Sequence, residues 1–146
     1  GTGVINRIFH GYGKFEGEMD GRKNGALISM STGKAVAFAI FNLQARGEMF
    51  VTHNDPVYEG MIVGLTPKPG DMIINVMKGK QLTNMRTQGT DENVVLTPVR
   101  QMSIAEQLSM LNTDEALEIT PKSLRLRKAI LNPHDRKRSE KSGTAA

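Results

Sequence analysis

The apolar residues of this chain come in short runs that turn-forming residues keep cutting off, and that interruption limits what the chain can build. Long amphipathic helices need an apolar stripe sustained over several turns, whereas brief β-rich runs between Gly, Pro, Asn and Asp clusters suit short strands. Residues 26–30 and 35–41 flank Ser31-Thr32-Gly33-Lys34, which predicts a β-hairpin with Gly33 at the position needing positive φ. Residues 43–47 read as one helical turn closed by Gly47. Residues 49–52 and 61–66 read as further strands on either side of a turn fixed by Pro56. A Pro and Gly cluster at 66–70 precedes a strand at 72–76, and another strand at 94–97 stops at Pro98.

Helix signals are fewer. Ser103 and Glu106 stand at capping-box spacing, so the hydroxyl can satisfy one orphan amide while the carboxylate returns to the cap. Ile104, Leu108 and Leu111 then supply an apolar stripe. Beyond it, residues 115–120 and 122–128 alternate, with Leu117 and Ile119, then Leu124 and Leu126, on one face. The other face is expected to expose a row of cations, Lys122, Arg125, Arg127 and Lys128. Asn132 as cap and Pro133 at the first helical position start a charged helix with no apolar face, and residues 142–146 are expected to be disordered. The fold class that follows is α+β: mainly short antiparallel strands in a curled, partly closed, barrel-like sheet, with one or two helices.

The length of 146 residues suits one domain, or one domain and a fragment of another. Val4, Ile5, Ile8 and Phe9 follow neither a strand nor a helix period, and the opening reads as the severed end of something larger. No apolar run reaches the ~18 residues of a membrane span. There are no cysteines, so disulfides, thiol nucleophiles and sulfur-ligated metals are excluded, and the composition is compatible with a cytosolic protein. The formal charge of +4 is unevenly spread, at +1 over residues 1–70, −3 over 71–120 and +6 over 121–146.

Tests for catalytic chemistry fail. Gly33-Lys34 follows a strand, yet a phosphate loop would need Gly where Ile28 stands and a hydroxyl where Ala35 stands. Residues 11–21 carry many glycines, but Glu16 occupies the last glycine of a dinucleotide fingerprint, which leaves a connecting segment. His10, His53 and His134 lie far apart without a second ligand at metal spacing, and His53-Asn54-Asp55 reads as a turn. Asp91-Glu92 and Asp114-Glu115 are adjacent, so their side chains diverge and neither makes an acid/base dyad. The few aromatics fall mostly in strand-like runs, which disfavours a sheet face that stacks bases.

One segment stands apart. Between the apolar runs ending at Met77 and beginning at Val94, residues 78–90 hold Lys78, Lys80 and Arg86 without a single acid, in an otherwise acidic third of the chain. Most connections in compact domains take about 4–6 residues, so this one is long for a turn. Gly79 and Gly89 allow close backbone approach, and Thr83, Asn84 and Gln88 add hydrogen-bonding groups suited to phosphate, ribose and base edges. A solvated polar loop and an RNA-contacting finger both fit that description.

The stretches NGALISMSTGKAVAFAIFNLQARGEMFV, DPVYEGMIVG, VMKGKQLTNMRTQGTDE and EITPKSLRLRKAIL resemble the carboxyl-terminal part of the BipA/TypA family of ribosome-associated translational GTPases. The resemblance implies that residues 1–14 are the last strand of a preceding elongation-factor-G-like domain, that 15–131 are the family-specific domain, and that 132–146 are a basic helix and tail. It also implies that GTP and Mg²⁺ belong to a GTPase domain outside this chain, which itself carries no catalytic or metal site and no cofactor. Implied partners are large-subunit rRNA and the acceptor end of the A-site tRNA, contacted by a cytoplasmic monomer, with no DNA or membrane. The RNA-binding residues would be Lys78, Lys80, Thr83, Asn84 and Arg86 on the finger, with Arg125, Arg127 and Lys128 as a second basic face. The alternative is a protein-interaction domain whose loop grips a ribosomal protein or another domain of the parent factor.

Overall fold

The computed structural model describes residues 3–4, 7–13, 22–79 and 95–143. Among them the elements run β1 (Ala26–Ser29), β2 (Gly33–Lys34), α1 (Ala37–Gln44), β3 (Glu48–Met49), β4 (Pro56–Val57), β5 (Ile62–Leu65) and β6 (Met72–Ile74). Further along the chain are α2 (Ile104–Ser109), β7 (Glu115–Ile119), β8 (Leu124–Lys128) and α3 (Pro133–Gly143). The chain is α+β.

The centre is a four-stranded sheet in the order β3-β5-β1-β6. Its inner strands, β1 and β5, are buried at every position, as continuous apolar runs must be when both sheet faces are covered. Alternation along the strands feeds two separate cores. Leu27 and Val63 point to one side and pack with Ala35, Ile40, Leu43, Val57 and Val76, most of them brought by α1 and its flanking loops. Ala26, Ile28 and Ile62 point to the other, where Leu126 of β8 meets them with Phe50, Met102, Leu111 and Leu117 around it. Full burial of side chains such as Leu27, Ile28 and Ile40 contributes roughly 1.5–3 kcal/mol each.

Two expectations for the first half are corrected. Residues 35–41 are not the second arm of a hairpin. Residues 37–44 form α1, because the alanines at 37 and 39 favour helix and Ala37, Ile40 and Leu43 at a spacing of three bury one helical face. Lys34 and Gly33 pair instead with Pro56 and Val57, as β2 against β4. The main sheet is also mixed, since β6 runs parallel to β1 while β5 runs antiparallel to it. The described strands close no barrel; they fall into one four-stranded and two two-stranded sheets. Residues 95–97 form no strand.

The second half follows its sequence closely. Ser103 Oγ accepts from the Glu106 N–H at 3.3 Å and Glu106 Oε2 accepts from the Ser103 N–H at 2.8 Å, completing the capping box of α2. β7 and β8 form an antiparallel hairpin in which Leu117 faces Leu126 and Ile119 faces Leu124. The hairpin docks on the chain just before β5, through a bridge between Met61 and Arg127 and a Lys128 N–H donated to Gly60 O at 2.9 Å. Gly60 sits there at φ +85°, and a Cβ on it would fall 2.7 Å from the Leu131 Cα. Only glycine combines that conformation with that approach. Asn132 caps α3 by accepting from the His134 N–H at 2.9 Å, and the helix continues through Ser142 to Gly143, where a disordered tail was expected.

Candidate nucleic-acid interface

Helix α1 governs both stems of the segment that the sequence singles out. At the helix start, the Val36 N–H donates to Val76 O at 2.9 Å, and His53 Nδ1 accepts from the Ala37 N–H at 3.2 Å. The outgoing stem is braced further by Asn75, whose Oδ1 accepts from the Met77 N–H at 2.9 Å. Met77 lies against Gly33, where a Cβ would stand 2.2 Å from its sulfur. At the helix end, Gln44 Nε2 donates to Thr97 O at 2.8 Å and Gln44 Oε1 accepts from the Thr97 N–H at 3.0 Å. A helix of eight residues is about 12 Å long. Val76 and Thr97 are therefore held at opposite ends of a rigid rod.

Beside the outgoing stem lies a groove of about 520 Å³ between α1 and β6, lined among others by Phe38, Asn42, Arg46, Ile73, Asn75 and Lys78. None of the described residues that line it is acidic. Arg46 and Lys78 are exposed, and neither side chain makes a hydrogen bond or ion pair among the described residues. A concavity with two unneutralised cations and no carboxylate attracts anions.

A second concavity of about 430 Å³ sits on the outward side of the β7–β8 hairpin, lined by Tyr58, Glu118, Arg125, Arg127 and Leu131. Arg125 and Arg127, two apart on β8, share that side. Glu118 stands opposite Arg125 in the register, and the Tyr58 hydroxyl donates to Glu118 Oε2 at 2.5 Å. Burial, then the Glu118 hydrogen bond and charge, push the Tyr58 hydroxyl well above the usual phenol range, so it stays a donor. Arg127 Nη1 donates to Lys128 O at 3.3 Å, while the Arg125 guanidinium makes no hydrogen bond or ion pair among the described residues.

Lys128 requires a correction. Strand alternation puts it with Leu124 and Leu126, on the side facing the sheet, and it is 1% exposed. It cannot join an outward basic face. Its Nζ contacts Asp71, Asp114 Oδ2 at 2.7 Å and Glu115 Oε1 at 3.2 Å. Arg22 completes the cluster with Glu115 at 2.8 and 3.2 Å, and Asp71 Oδ1 accepts from the Ala26 N–H at 2.8 Å. Burial works against the Lys128 charge, but the hydrogen bonds to Asp114 and Asp71 and the charge of Glu115 outweigh it and raise its pKa. The cluster joins β1, β6, β7 and β8 at one buried point, so its role is architectural.

Of the residues expected to meet RNA, Lys78 lies in the α1–β6 groove, and Arg125 and Arg127 line the separate hairpin concavity. Lys80, Thr83, Asn84 and Arg86 lie outside the described residues. Arg46, Asn42 and Asn75 also line this groove and were not singled out in the sequence: reading residues 35–41 as a strand hid the helix that carries Asn42 and sets the position of Arg46 just beyond it, and Asn75 joins them only because β6 lies beside α1.

The fold and these two concavities define an α+β module with two basic recesses. Residues 24–133 match the model of the TypA/BipA C-terminal domain, and the chain belongs to that family. It is 49% identical over 145 residues to the large ribosomal subunit assembly factor BipA of Buchnera aphidicola subsp. Schizaphis graminum, covering 99% of this chain and 24% of that protein. It is 46% identical over 142 residues to the protein of the same description from Salmonella typhimurium, covering 97% and 23%. The Escherichia coli K12 protein is 46% identical over 143 residues, covering 97% and 24%. The chain thus spans about a quarter of the length of these relatives.

Proposed function

We propose that this chain is the ribosome-binding module of a BipA-type translational GTPase acting in large-subunit assembly, and that its segment 78–90 reaches rRNA and the acceptor end of an A-site tRNA. The observation that carries the reading is the fixing of Val76 and Thr97 to opposite ends of α1, beside a groove with two cations unpaired among the described residues. A finger that must place Lys78, Lys80, Thr83, Asn84 and Arg86 against a polyanion needs a stiff root, because slack there costs binding entropy. Arg125 and Arg127 form the second contact in this proposal. The relatives' description as large ribosomal subunit assembly factors supports the choice of partner. Phosphoryl chemistry, with GTP and Mg²⁺, is assigned to the parent's GTPase domain and not to these residues.

The test is sedimentation of the chain with purified large subunits across a salt series. Affinity falls steeply with salt if phosphates are neutralised, by about 0.9 in log-log slope per contact on duplex RNA regions and about 0.7 on single strands. The triple substitution Lys78→Ala/Lys80→Ala/Arg86→Ala lowers the slope; an unchanged slope refutes the finger.

A protein partner is the second reading, and one feature favours it. A cleft of about 750 Å³ between α2 and the β7–β8 hairpin has Ile104 and Ile119 exposed at its wall. Retention of the chain on nuclease-stripped ribosomal proteins would support that reading over RNA.

A further inference from the structure

Resting on the RNA-binding reading above, we infer that the groove between α1 and β6 is a site for one unstacked nucleotide of single-stranded RNA. Each part of a nucleotide meets matching chemistry there. Phe38, half-buried, and Ile73 give the groove an apolar wall against which a base can leave water. Two amides supply opposite hydrogen-bonding senses. Asn42 Nδ2 is spent on Phe38 O, at 3.0 Å within its own helix, which leaves its Oδ1 to accept. Asn75 Oδ1 is spent on the Met77 N–H, which leaves its amide nitrogen to donate. One acceptor and one donor are what a base edge asks of its reader.

The charge is placed for the backbone. Arg46 and Lys78 line the same groove and are exposed, and among the described residues they are unpaired and no lining carboxylate competes for them. That arrangement favours phosphate over a peptide, whose backbone carries no charge to neutralise. A volume of about 520 Å³ falls in the range of small-ligand sites, roughly 300–1,000 Å³. A duplex keeps its bases stacked and paired, so it could offer this groove phosphate alone. Selectivity for the unpaired strand follows.

The experiment measures fluorescence anisotropy of a labelled, unstructured RNA oligonucleotide and of a duplex of equal length, titrated with the whole chain. Phe38→Leu, which keeps an apolar side chain but removes the ring, weakens single-strand binding by about tenfold and leaves duplex binding unchanged. Arg46→Gln, at an exposed position that spares the fold, lowers the single-strand salt slope by about 0.7. Melting temperatures of both variants are recorded alongside. If both bind the single strand like the unaltered chain while the Lys78/Lys80/Arg86 variant loses it, the groove assignment falls and the finger stands. If Phe38→Leu weakens both RNAs equally with a lowered melting temperature, and Arg46→Gln changes no slope, Phe38 is packing only and the site is rejected. If the unaltered chain binds neither RNA, both the inference and the RNA reading beneath it are overturned.

Discussion

Gln44 and Thr97 hold each other by two hydrogen bonds, the side-chain amide of one embracing the backbone N–H and C=O of the other at 3.0 and 2.8 Å. The amide does for Thr97 what a neighbouring strand would do, and it does so at the last residue of α1. Gln44→Leu keeps the bulk and removes both bonds. Because the pair is exposed, the loss is modest, about 1 kcal/mol, and the fold persists. Hydrogen exchange of a peptide covering residues 95–100 accelerates in the variant; unchanged exchange would mean the stem is held by something else.

Lys128→Met replaces a buried cation with an apolar side chain of similar length. Among the described residues, Asp71 and Glu115 then keep Arg22 as their one cation, with a backbone N–H donated to each by Ala26 and Asn112, and Glu115 is fully enclosed. Removing one partner of a buried ionic cluster strands the others, at a cost on the order of 3–5 kcal/mol. Urea unfolding of the variant is expected to lose that much, with the slope against urea preserved. A loss under about 1 kcal/mol would show that water or rearrangement screens the carboxylates.

The same cluster sets a pH window. Burial raises the Asp71 pKa, but the Ala26 N–H and Lys128 outweigh it and hold the carboxyl below its usual range. Its contribution is therefore complete above the unfolded value of about 4 and fades as pH falls through the lower folded value. Lys128 is shifted upward, so its contribution is complete below about pH 10 and fades as pH rises through the raised folded value. The urea midpoint plotted against pH is expected to be flat between those limits and to drop on either side. Asp71→Asn makes the acid limb shallower, with the lowered Glu106 still contributing to it, and Lys128→Met makes the alkaline limb shallower, with the raised Tyr58 hydroxyl still contributing to it.

Local signals were legible in the sequence wherever chemistry stayed local. The Ser103–Glu106 box, the Asn132 cap and the alternation that puts Leu117 and Ile119, then Leu124 and Leu126, on one face all depend on residues a few positions apart. What was hidden depends on distant partners. Residues 35–41 fit a strand as well as a helix by period, and the choice went to α1 because Ile40 and Leu43 had a sheet face to cover. Lys128 looked like one more surface cation beside Arg127. Its burial is made tolerable by Asp114 and Glu115 across the hairpin together with Asp71, 57 positions earlier by number. The groove residues Arg46 and Asn75 line one recess from the ends of α1 and β6, a juxtaposition that a linear reading cannot supply.

The hairpin concavity separates charge from architecture in one strand. Arg125 and Arg127 face outward on β8, while Lys128 next to them is enclosed. Arg125 carries no hydrogen bond or ion pair among the described residues, so Arg125→Ala removes little from the fold, within about 0.5 kcal/mol. If it meets a phosphate, binding to large subunits weakens and the log-log salt slope drops by about 0.9 where that phosphate belongs to a duplex. Arg127→Ala also loses the Arg127 Nη1 bond to Lys128 O, so its effect divides between stability and binding. Tyr58→Phe completes the comparison. It strips Glu118 of the hydroxyl at 2.5 Å and leaves that carboxylate to turn toward Arg125, so RNA binding drops although no cation has been touched. Sedimentation of the three variants with large subunits, each checked by urea unfolding, decides the matter: a Tyr58→Phe chain that binds as tightly as the unaltered one excludes the concavity from the interface.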